Sequence, residues 1–109
     1  MEELIPFRFV VKVYPTINHP QSETIGWTYA HAIVFDGEIE NATARLWLAL
    51  KAAHWQVKDI ECADVMPPSQ LTEGGTAELA LYHRAVQQGF AVDYVANPKW
   101  KPDPGAFWD

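Results

Sequence analysis

The side chains able to do chemistry are few and scattered. Histidines stand at 19, 31, 54 and 83, and the chain has one cysteine, Cys62. No two histidines lie four apart, and none stands beside Cys62 at a metal-ligand spacing. A structural zinc site takes about four convergent ligands, so neither a metal nor any other cofactor is expected. The GxSxG, GxGxxG and GxxxxGK[ST] patterns of nucleophile elbows and phosphate loops are absent as well.

His31 is the histidine with chemical potential. It lies mid-strand in GWTYAHAIVF (26–35), on a face shared with Tyr29, Ile33 and Phe35. On a helix-free sheet face it would stand near Asp59, Glu61 or Asp93, and a histidine beside carboxylates is a general acid–base set. Arg8 and Lys12 compete for the same carboxylates as ordinary cross-strand ion pairs. Strand alternation does not fix which face His31 takes. His19 falls in a polar loop and His83 on the outer side of a helix. His54 sits at a helix C-terminus, where positive charge is favoured. Cys62, alternating with Glu61 and next to Ile60, reads as a buried, inert thiol. Gly74-Gly75 ahead of a helix reads as a flexible link rather than an anion site.

The elements that must position these groups follow from apolar spacing. All eight prolines lie outside 21–66 and 69–97, so both windows are free for regular structure. FRFVVKVY (7–14) alternates Phe7, Phe9, Val11 and Val13 against Arg8, Val10, Lys12 and Tyr14, the period of a half-buried strand. After a polar loop over 15–25, the segment 26–35 is apolar on both faces, as an interior strand is. Residues 38–53 carry Ile39, Ala42, Leu46, Ala49, Leu50 and Ala53 at helical spacing. A second stripe, Ala44, Leu48 and Ala52, runs along another side, with Leu48 its one large member. Residues 55–66 form a third strand, with Asp59 and Glu61 on one face and Ile60 and Cys62 on the other. Thr76 is the expected N-cap of a second helix over 77–88, with Leu79, Tyr82, Ala85 and Val86 inward. Gly89 suits the left-handed position after it, with Phe90 folding back on the helix. FAVDYVA (90–96) is the fourth strand.

This succession, ββαβαβ, predicts an α+β fold: a two-layer α/β sandwich of a four-stranded mixed sheet with both helices on one face. The nearest common architecture is ferredoxin-like, and only loosely, since that order begins strand–helix–strand. Residues 1–97 form the single domain. Residues 98–109 are a proline-rich tail whose Trp100, Phe107 and Trp108 need covering, by this domain or by another chain.

Composition limits the function classes. At 49% hydrophobic the chain is globular material. Fourteen acidic against eight basic residues give a net charge of −6, which repels nucleic acid and anionic membranes. No apolar run approaches the ~18 residues of a membrane span, and the acidic start Met1-Glu2-Glu3-Leu4 lacks a signal peptide's apolar stretch. With one cysteine nothing argues for an oxidising compartment, so a cytoplasmic location is expected. Two functions fit. One is a non-catalytic protein-binding module (an inhibitor, immunity-type or regulatory partner) acting on another protein or by self-association through Leu48, Trp100, Phe107 and Trp108. The other is a small dimeric acid–base enzyme or ligand-binding protein, using the sheet face around His31, Asp59 and Glu61.

Overall fold

The computed structural model describes residues 4–66 and 75–98. Along the chain the elements are β1 (Ile5–Pro15), β2 (Ile25–Asp36), α1 (Ile39–Ala52), β3 (Trp55–Val65), α2 (Gly75–Gln88) and β4 (Phe90–Pro98). In the sheet the strands lie in the order β3-β1-β2-β4, which chain order alone does not give. β1 and β2 form a central hairpin, β3 pairs with the outer side of β1, and β4 with the outer side of β2. All three pairings are antiparallel, so the sheet is antiparallel and not the mixed sheet expected from sequence.

The alternation of β1 has direct consequences for packing. Phe7, Phe9, Val11 and Val13 are all buried and pack with Ala30, Ala32 and Val34 of β2 beneath Ala42, Leu46 and Leu50 of α1. Phe9 lies opposite Ala32 and Val11 opposite Ala30, so large and small side chains interdigitate and the helix can approach closely. We call this the front face. Burying a leucine such as Leu46 there stabilises the fold by roughly 1.5–3 kcal/mol.

Successive residues of β2 point to opposite faces, and Ile33 belongs to a different cluster, with Met66, Leu81, Ala85 and Ala91. Leu81 and Ala85 are on α2, so α2 covers the back of the sheet while α1 covers the front. The helices do not share a face. The molecule has three layers, not two, and departs from the ferredoxin-like plan, which puts both helices on one side. The apolar character of both faces of β2 has its cause here, because one helix covers each.

Helix ends follow local chemistry. The Oδ1 of Asp36 accepts hydrogen bonds from the backbone N–H of Gly37 (2.7 Å) and Glu38 (3.4 Å) just ahead of α1. His54 ends α1 in the left-handed region (φ 64°), donating its N–H to the Lys51 carbonyl at 3.0 Å. α2 begins at Gly75, so Thr76 lies inside its first turn and is not the N-cap. It stops at Gly89 (φ 85°), whose N–H bonds to the Ala85 carbonyl at 2.7 Å. That is the single-bond left-handed termination. Phe90 does not fold back on α2; it packs toward the front cluster, under the guanidinium of Arg45. The inward face of α2 is also rotated from the expected one. Leu81 is buried, whereas Leu79 and Val86 are exposed.

Candidate functional site

The back face is where titratable groups gather. Arg8, Val10 and Lys12 of β1 point there, opposite Ile33, His31 and Tyr29 of β2. β3 completes the surface, and its two irregularities matter. The register with β1 slips between Val10 and Val11 and again between Lys12 and Val13. Each slip inserts an extra residue, and a bulge re-aims the side chains beside it. Cys62 lies opposite Val10, and its sulfur accepts a hydrogen bond from Arg8 Nη2 at 3.4 Å. Glu61 meanwhile walls a surface depression with Val10, Tyr29 and His31. Glu61 and Cys62 thus address the same face, where strict alternation separates them. Cys62 is half-buried and hydrogen-bonded, not sealed in an apolar core.

Between α2 and the sheet lies a cavity of about 140 Å³. Val10, Ala32, Ile33, Met66 and Leu81 give it apolar walls, and Arg8, His31 and Glu78 supply polar groups. The adjoining depression, about 330 Å³ and more open, shares His31 and Val10 with it. His31 therefore stands at the boundary between this cavity and the more open depression.

The polar groups are not equivalent. Arg8 is engaged on the β3 side, with Cys62 and with Asp64, whose Oδ1 is 4.0 Å from its Nε. The bond to Cys62, joined by the charges of Asp64 and Glu78, holds the guanidinium above its ordinary value against the opposing effect of burial. Glu78, in the first turn of α2, has a buried Oε2 with no hydrogen-bond partner among the described residues. A buried acceptor left in that state is costly. His31 is half-buried, and among the described residues no carboxylate hydrogen-bonds to its ring.

The candidate carboxylates separate. Glu61 shares the depression with His31. Asp59 lies opposite Lys12, further along β1, and its Oδ1 accepts the N–H of Ile60 at 2.9 Å. Asp93 lies opposite His31 on β4, but it is paired with Arg84 of α2 at 2.5 Å. Lys12 is only 8% exposed, with its ammonium over the Trp27 ring, 5.4 Å from the centroid. Among the described residues no group of three or more His, Cys, Asp or Glu side chains is placed to hold a metal ion.

The candidate interaction surface lies elsewhere. Leu48 is 70% exposed and lines a groove of about 270 Å³ with Trp47, Lys51, Trp55 and Val57, where α1 meets β3. Trp55 is itself held between His19 (ring centroids 4.3 Å apart) and Tyr94 (5.2 Å, stacked). Trp100, Phe107 and Trp108 lie outside the described residues. No helix of the described residues is long and apolar enough to cross a membrane.

Sequence reasoning did not single out Arg8, Met66 and Glu78 as one constellation. The available signal was Arg8 amid apolar neighbours on β1, but only the placement of α2 behind the sheet brings Glu78 to it. No protein family, curated protein or solved structure matches the chain.

Proposed function

We propose that this protein binds a small molecule on the back of its sheet, in the cavity between α2 and β1–β2. The carrying observation is the cavity itself: an apolar lining on which Arg8, His31 and Glu78 converge. Ligand sites have this composition, a greasy enclosure with a few placed polar groups. Binding fits better than acid–base catalysis, because a general base is positioned by a hydrogen-bonded partner within reach, and Asp59 and Asp93 are both engaged away from His31. The test is methyl-resolved NMR with a panel of compounds of about six heavy atoms. Saturable shifts at Ile33, Met66 and Leu81 are expected. Shifts confined to the Leu48 groove, or none at all, would refute the reading.

A second reading, a protein-binding module, is favoured by one observation: a large exposed leucine beside a groove walled by two tryptophans. Light scattering tests its self-association form. A mass that rises with concentration and falls to the monomer value in Leu48→Glu would support it. A concentration-independent monomer would remove it.

A further inference from the structure

Resting on the ligand-binding reading above, we propose that the cavity behind the sheet selects a small organic cation: a primary amine with a compact hydrocarbon body. Three observations lead there. First, the buried Oε2 of Glu78 has no donor among the described residues, and Glu78 lines the cavity. A ligand N–H would satisfy it, and a charged ammonium would do so with a charge-assisted bond, about twice as strong as a neutral one.

Second, the charge around the cavity favours a cation. Arg8 is the positive wall group, and it is already held by Cys62 and Asp64 on its far side. Glu78 and Asp64 both act electrostatically on Arg8. Glu78 and Arg8 are the charged groups of the lining, and Asp64 offsets part of the guanidinium's charge from outside the cavity, on a chain whose total charge is −6. An anionic ligand would have to approach Glu78, whereas an ammonium approaches a guanidinium whose charge Asp64 already offsets in part.

Third, the remaining walls set the body of the ligand. The side chains of Val10, Ile33, Met66 and Leu81 offer hydrocarbon and a thioether. The volume, about 140 Å³, is near the ~150 Å³ of an apolar cavity known to take benzene. A body of about five or six heavy atoms fits, with the nitrogen directed to Glu78 and the carbons against Ile33 and Leu81.

The test titrates the full chain with three probes of one shape: n-butylammonium, n-butanol and n-butyrate. Methyl signals of Ile33, Met66 and Leu81 report binding. The amine is expected to bind about tenfold tighter than the alcohol, and the carboxylate weakest. Glu78→Gln should bring the amine down to the level of the alcohol and leave the alcohol unchanged; a thermal melt confirms that the variant is folded. Should it not fold, the order of the three probes on the native chain decides. Equal binding of amine and alcohol, or tighter binding of butyrate, overturns the cation preference while leaving the cavity a ligand site. No saturable binding of any probe overturns both.

Discussion

The two faces of the sheet are built from the same strands and differ in kind. On the front, Phe9, Val11, Val13, Ala30, Ala32, Val34, Leu46 and Leu50 are fully buried in one continuous cluster under α1. On the back, α2 contributes Leu81, Ala85 and the half-buried Tyr82 to a smaller cluster, and a cavity edged by Arg8, His31 and Glu78 adjoins it. The front holds the fold together. The back gives up packing for polar groups around a partly open cavity. A chain of this size has only a few kcal/mol of net stability to spare, so one face must carry most of it.

That contrast can be broken by mutation. Leu46→Ala should cost the most, about 3–4 kcal/mol by urea denaturation, since its neighbours are close-packed and cannot collapse into the space. Leu81→Ala should cost less, about 2 kcal/mol, because Leu81 already borders a void. Equal losses would mean that both faces are packed alike. Thr28 sharpens the comparison from the other direction. It is fully buried, and its hydroxyl has no hydrogen-bond partner among the described residues. Thr28→Val should therefore raise stability by about 1 kcal/mol, without the loss of ligand binding expected of changes at Glu78. At the end of α1, His54→Gly should add about 0.5 kcal/mol by relieving the left-handed backbone, seen as a small rise in melting temperature.

The smallest effect is at alkaline pH. Burial lifts the Tyr94 phenol above its ordinary value, with the hydrogen bond to Trp55 acting the other way. The folded state then holds its proton more tightly than the unfolded state. Stability contributed by the neutral phenol is full below the ordinary value near 10 and is lost as pH rises through the higher folded value. Tyr94→Phe should flatten the decline of stability above pH ~10, as followed by denaturation at several pH values.

Much of the front face was legible in the sequence. The alternation of Phe7, Phe9, Val11 and Val13, and the helical spacing of Ala42, Leu46 and Leu50, each admit one buried side. The back face was not legible, for two physical reasons. α2 carries apolar residues around much of its circumference, Leu79, Leu81, Tyr82, Ala85 and Val86 among them, so spacing alone does not choose the inward face or the side of the sheet it covers. β3 carries two bulges, and an extra residue in a strand inverts the alternation from which faces are read. Cys62 and Glu61 came to share a face by that route. The strand position of His31 singles it out as a candidate, whereas Glu78, 47 residues further along the chain, reaches the same cavity only through the crossing of α2 behind β2.

Xenon-pressure NMR on methyl-labelled protein most directly tests whether the back of the sheet holds an accessible void and the front does not, since xenon enters apolar cavities of this size. Saturable shifts at the methyls of Ile33, Met66 and Leu81, with Leu46 and Leu50 unmoved, are expected. Shifts of equal size on both faces, or none at Ile33, Met66 and Leu81, would contradict the division between a packed front and a receptive back.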